Sequence, residues 1–125
     1  METIDKQATN STPAICFDPD THILRISGES YPENSFDFYA PVIVWLKVNL
    51  PELAEFTLDI SVNYMNSSST KCILDIMDIM ETAYNRGVIT RIIWRYDHDN
   101  PRSYDMAEDF SEEVTFPFAI EALGS

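Results

Sequence analysis

Residues 66–71 read Asn-Ser-Ser-Ser-Thr-Lys, four consecutive hydroxyls where a strand-like run gives way to a helical one. The first backbone N–H groups of a helix have no intrahelical partner and lie at the positive end of the macrodipole, so an added anion is stabilised there. A phosphoryl group on a serine at that point adds about −1.5 to −2 charges where they are tolerated. A serine presented in this turn is therefore a candidate phosphorylation switch. Asn66 or Ser67 also suits an ordinary helix cap, because Ser, Thr, Asn and Asp are the preferred N-cap residues. The two roles are compatible.

Other chemistry finds less support. Asp97, His98 and Asp99 place two carboxylates and an imidazole after a strand, a donor set that a divalent metal accepts. Three adjacent residues cannot all point into one site from regular structure, so a solvated turn is the simpler reading. Asp105, Glu108, Asp109, Glu112 and Glu113 read as the solvated face of a helix, and His22 has no recognisable catalytic partner. The chain holds only Gly28, Gly87 and Gly124, so it lacks a glycine-rich phosphate loop, and it contains no GxSxG or HExxH motif. No acid/base pair or activated nucleophile can be assembled. The reading is of a non-enzymatic protein with no cofactor and no metal. Cys16 and Cys72 lack CxxC spacing and read as small packed hydrophobes, while Trp45 and Trp94 read as core.

The elements that would hold the hydroxyl turn can be read in order. Residues 1–12 look like a flexible tail, and residues 13–123 like a single domain. Ala14–Phe17 and His22–Ser27 alternate around Asp18-Pro19-Asp20 as an opening hairpin, with Gly28 ending the second strand. Residues 29–35 read as a loop, and Asn34 or Ser35 can cap a helix over Phe36–Val48; Pro41 inside it weakens that reading or implies a first-turn break or kink. Phe56–Tyr64 is a strand with Phe56, Leu58, Ile60 and Val62 on one face. A helix over Ser68–Arg86 shows Ile73, Ile76, Met77, Met80, Ala83 and Tyr84 at helical steps, and Gly87 stops it. Val88–Tyr96 is a strand, Tyr104–Glu113 a short helix, and Val114–Ile120 an edge strand interrupted by Pro117. This β-β-α-β-α-β-α-β order predicts an α/β fold, one mixed sheet of about five strands packed with about three helices.

Length and charge narrow the class further. The 125 residues suffice for one core, and the 45% hydrophobic content excludes a disordered chain. No apolar run approaches the ~20 residues that span a bilayer. The polar N-terminus reads as neither signal peptide nor lipid anchor, so a cytoplasmic location is expected. Net charge is −13, concentrated outside residues 56–96, where four acids balance four bases. Nucleic acid and anionic membrane are therefore disfavoured partners.

Several segments go beyond a generic fold: Ser11-Thr12-Pro13-Ala14-Ile15, the stretch Gly28-Glu29-Ser30-Tyr31-Pro32-Glu33-Asn34-Ser35, Tyr64 through Ser69, Trp94-Arg95-Tyr96, and Phe116-Pro117-Phe118-Ala119-Ile120. Together, from Ser11 to Glu121, they resemble the SiaC family of bacterial regulatory phosphoproteins. That family is similar in fold to STAS-type anti-sigma-factor antagonists, which carry Asp-Ser-Ser-Gly at a helix start with the first serine phosphorylated. Asn66 and Ser69 depart from that Asp and Gly. The resemblance puts Ser67 at the phosphoacceptor position, with Ser68 as competitor, and Asn66, Ser68, Ser69 and Lys71 around it as the surface that kinase and target would read. It implies a cognate Ser/Thr kinase, a PP2C-type phosphatase and a diguanylate cyclase bound and activated by the unphosphorylated form, in control of cyclic di-GMP and biofilm formation. An anti-sigma kinase is the alternative target, and a small metal-dependent hydrolase using Asp97, His98 and Asp99 is the alternative class.

Overall fold

A computed structural model describes residues 3–123. Six strands form one sheet in chain order: β1 (Asp5–Lys6), β2 (Ala14–Asp18), β3 (Ile23–Ser30), β4 (Glu55–Met65), β5 (Ile89–Tyr96) and β6 (Phe118–Ala122). The first three strands pair antiparallel, and β3 to β6 pair parallel. The crossovers are α1 (Ser35–Asn49), α2 (Ser67–Asn85) and α3 (Pro101–Ser111). Each moves one strand along in the same direction, so the right-handed rule puts all three helices on one face of the sheet. The fold is the expected α/β class with three helices and a mixed sheet, and it has six strands rather than about five.

The sixth strand comes from the segment expected to be a flexible tail. Asp5 and Lys6 pair with Cys16 and Ile15, and the Phe17 N–H donates to the Ile4 carbonyl at 2.9 Å. The first two residues of that expected tail lie outside the described residues. A two-residue strand carries no period of its own, so only its partner defines it.

Long-range pairing moves other boundaries too. Gly28 does not end β3; the strand runs to Ser30 because Glu29 and Ser30 pair with Tyr64 and Met65 of β4. The register skips Asn63 at this point, and Gly28 absorbs the irregularity at φ +118°, a conformation side chains resist. Helix α1 passes through Pro41 as one element rather than breaking there. Helix α3 begins at Pro101, because Asn100 caps it and proline suits the first helical position. β6 is an edge strand as expected, but it starts after Pro117 and runs to Ala122.

The core lies between the sheet and its helices. Leu58, Ile60 and Val62 of β4 are fully buried and Phe56 nearly so, opposite Cys72, Ile73, Ile76, Met77 and Met80 of α2. On the bare face, Asp59 is held by Arg95 Nε at 3.0 Å and lies 4.0 Å from Arg25 Nε. Central-strand side chains carry the stability of such a layer. Ile60→Ala should cost about 2–5 kcal/mol, read as a lower urea midpoint with an unchanged denaturant slope.

Candidate functional site

The hydroxyl turn sits where β4 hands over to α2, beside the point where β3 hands over to α1. The parallel pairing of β3 and β4 sets the two helices side by side with their N-termini at the same end of the sheet. Asn66 leaves β4 in extended conformation and caps α2: its Oδ1 accepts from the Ser69 N–H at 2.9 Å. Its own N–H donates to the Ser30 carbonyl at 2.9 Å and its Nδ2 to the Pro32 carbonyl at 3.3 Å. Asn66 is therefore both the cap of α2 and its link to the β3–α1 connection.

The three serines that follow have different environments. Ser67 is exposed at the first helical position, and its hydroxyl has no hydrogen-bond partner among the described residues. Ser68 is half-buried and donates to Ser35 Oγ at 2.8 Å. Ser69 is fully buried, so although its position suggested a partner-facing residue, it faces the interior. Thr70 turns back onto the Asn66 carbonyl at 3.2 Å. Lys71, exposed one turn beyond Ser67, donates to Asp75 Oδ1 at 2.9 Å, and that contact raises its pKa.

Beneath the turn lies a chain of buried hydroxyls that the sequence did not reveal. Tyr39 OH and Ser30 Oγ are 2.7 Å apart, Ser30 Oγ donates to Ser69 Oγ at 2.8 Å, and Ser69 Oγ lies 3.0 Å from Ser35 Oγ. Ser35 Oγ donates to Asn66 Oδ1 at 3.3 Å. Each hydroxyl has one proton, so a single orientation satisfies them all: Tyr39 to Ser30, Ser30 to Ser69, Ser69 to Ser35, and Ser35 to Asn66. Ser35 was legible as a possible cap of α1, but its cap is Asn34. Ser30 and Tyr39 carried no local signal, since their partners lie 30 or more residues from one of them in sequence or across a strand–helix joint.

The backbone donors of α2 complete the account. Four N–H groups at a helix start lack intrahelical acceptors. Ser30 satisfies that of Asn66, and the Asn66 side chain satisfies that of Ser69. Those of Ser67 and Ser68 have no protein partner among the described residues. Two free donors and the positive helix end thus lie beside Ser67, with Lys71 one turn further on, an arrangement able to hold an anion.

The other candidates do not converge. Asp97 Oδ1 accepts from the Asp99 N–H at 2.9 Å, closing a local turn, and His98 and Asp99 are exposed. Among the described residues no group of three or more His, Cys, Asp or Glu is placed to hold a metal. No helix is long and apolar enough to cross a membrane. Cys16 is exposed and Cys72 buried, both as free thiols, and burial pushes the Cys72 thiol up.

Comparison with known proteins bears on the whole chain. The family described as SiaC family regulatory phosphoprotein matches residues 6–123. The chain belongs to the SiaC family. An uncharacterized protein of Pseudomonas aeruginosa (strain UCBPP-PA14) is 39% identical over 123 residues, covering 98% of each chain. The crystal structure of apo-SiaC from P. aeruginosa superposes with a TM-score of 0.92 at 38% identity, covering 98% of this chain and 100% of that one. The SiaC chain in the structure of diguanylate cyclase SiaD in complex with its activator SiaC, also from P. aeruginosa, gives 0.87 at 38% identity, covering 95% and 98%.

Two measurements probe this joint. Asn66→Ala removes the cap and the link to Pro32, and should lower stability by about 0.5–2 kcal/mol in chemical denaturation. Burial pushes the Tyr39 phenol up to about 12, partly offset by its bond to Ser30. An unfolded tyrosine ionises near ~10, so the unfolded state loses this proton first. Stability contributed by Tyr39 is therefore complete below pH ~10 and is lost as pH climbs to about 12. Urea midpoints should fall across that window, less steeply in Tyr39→Phe.

Proposed function

We propose that this chain is a non-enzymatic, partner-switching phosphoprotein whose phosphoacceptor is Ser67 and whose unphosphorylated form binds and activates a diguanylate cyclase. One observation carries the choice of acceptor: of three consecutive serines, only Ser67 presents an exposed hydroxyl free of internal hydrogen bonds. Ser68 would have to leave Ser35, and Ser69 would have to leave the core. A kinase needs a hydroxyl it can reach and deprotonate, and Ser67 meets that requirement without local unfolding.

Family membership and the SiaC–SiaD complex support the cyclase as target, with a cognate Ser/Thr kinase and a PP2C-type phosphatase setting the modification state. Asn66, Ser68 and Lys71 form the remainder of the surface these partners read. A phosphate on Ser67 draws on the free N–H groups of the first turn and competes with Asp75 for Lys71. The helix accepts the charge, so the fold persists while the surface changes. A target packed over this end would then meet a desolvated dianion and release.

Peptide mass spectrometry on protein from its native cells should place phosphate on Ser67. Ser67→Ala should remain unmodified and bind the cyclase constitutively in calorimetry, while Ser67→Glu should bind at least ~10-fold more weakly, about 1.4 kcal/mol. Phosphate on Ser68 would move the acceptor by one residue. Wild-type affinity in both variants would remove Ser67 from the switch, and recovery of an anti-sigma kinase in place of a cyclase would replace the target.

A further inference from the structure

Helix α1 is apolar on both sides. Tyr39, Val42, Trp45 and Leu46 are buried against the sheet and α2. On the opposite side, Phe36, Val44 and Val48 are 55%, 60% and 65% exposed, and Ala40 and Pro41 lie open beside them. A helix that is hydrophobic all round is normally enclosed. Among the described residues, only Thr3 and Ile4 of the N-terminal segment border this outer face, beside Pro41, Val44 and Val48, which stay open to solvent. Its only charges are Asp37 near the start and Lys47 near the end.

The order of residues on that face is symmetric. Counting outward from Val42, Ala40 matches Val44, Asp37 matches Lys47, and Phe36 matches Val48. Val42 points into the core, so the two members of each match lie at equal heights on either side of it. They also lie at equal angles on opposite sides of the outward direction. An antiparallel second α1, related by a twofold axis level with Val42, would set every residue level with its match across the seam. Ala40 would meet the second copy's Val44 and Asp37 the second copy's Lys47, twice over, while Phe36 would lie along the stem of the second copy's Lys47. A parallel arrangement would instead oppose aspartate to aspartate and lysine to lysine. Ala40 at the centre permits close approach, and a shallow left-handed crossing of about 20° brings Asp37 and Lys47 together.

We propose that the outer face of α1 is a self-association surface, on which two copies of this chain pair through an antiparallel, isologous α1–α1 contact. The complementarity of Asp37 and Lys47 fixes both the occupant and its direction. A single helix face is smaller than the roughly 20–30 residues a side of a standard interface. The dimer is accordingly weak, with a dissociation constant of about 10–100 µM. This contact does not depend on phosphorylation of Ser67 or on the identity of any target.

Sedimentation velocity on the full chain from ~5 to ~500 µM, a range bracketing that constant, should show a monomer passing to a dimer. Val44→Glu, an exposed substitution on the face, should leave a monomer throughout. Asp37→Lys and Lys47→Asp should each weaken pairing at least ~10-fold, since each sets like charges together. An equimolar mixture of the two should recover it, because lysine then meets aspartate at both ends. Circular dichroism checks that Asp37→Lys, which gives up its bond with Asn34, remains folded; if it does not, Val44→Glu alone decides. A wild-type monomer at every concentration overturns the proposal and leaves the face to a different protein. So does a dimer that Val44→Glu does not disturb, or a mixture of folded variants no tighter than its components.

Discussion

The joint that carries the candidate site depends on one buried hydrogen-bond chain, the run of hydroxyls from Tyr39 through Ser30, Ser69 and Ser35 to the side-chain Oδ1 of Asn66. It joins β3, α1 and α2 where two parallel crossovers begin. Polar groups buried without partners cost more than their bonds return, so such a chain is stabilising only when every donor and acceptor is satisfied. Here each hydroxyl proton has one acceptor, and the chain ends on an oxygen that needs donors. The arrangement fixes where α2 starts, and so which serine stands outside.

That selection explains how four neighbouring hydroxyls acquire different chemistry. Asn66 sets the helical phase: Ser67 falls at the first helical position facing water, and Ser69 faces inward two residues later. A one-residue shift of the cap would bury Ser68 and rotate Ser67 toward the side of the helix. The hydroxyls beneath the site thus act on Ser67 without touching it. Their effect is positional, set by geometry rather than by charge.

Much of the fold was legible because its signals are local. The apolar alternation of Phe56 to Val62, the helical spacing from Ile73 to Met80 and the stop at Gly87 are each contained in a short window. They gave the class, the helices and the central strands. What the sequence did not disclose depends on distant partners. β1 exists only through β2, β3 continues past Gly28 only because β4 pairs with it, and Asp59 is buried in a strand only because Arg95 meets it. The candidate site divides in the same way. Four adjacent hydroxyls at a helix start were visible, whereas the burial of Ser69 and the roles of Ser30 and Tyr39 required the β3–β4 pairing. Pro41 is the converse case: local propensity disfavours it within a helix, but α1 continues past it as one element, held by the packing of its inner face.

The distribution of charge argues that any switch at Ser67 works locally. A chain with net charge −13 gains little in total from one more phosphate. Screening confines exposed charges to a range of ~8 Å at physiological ionic strength, so a modification is felt within about a turn or two of its site. Three of the eight bases, Arg25, Arg91 and Arg95, lie on the sheet face away from the helices. Lys71 is the base one turn from Ser67, and Asp75 already holds it. A phosphate there therefore enters a region with little spare positive charge, and its strongest compensation comes from the two free N–H groups of Ser67 and Ser68. Those groups stabilise the phosphate within its own chain, but they do nothing for an acidic or apolar partner approaching from outside. The same geometry that lets the fold keep the charge makes the surface inhospitable to such a partner.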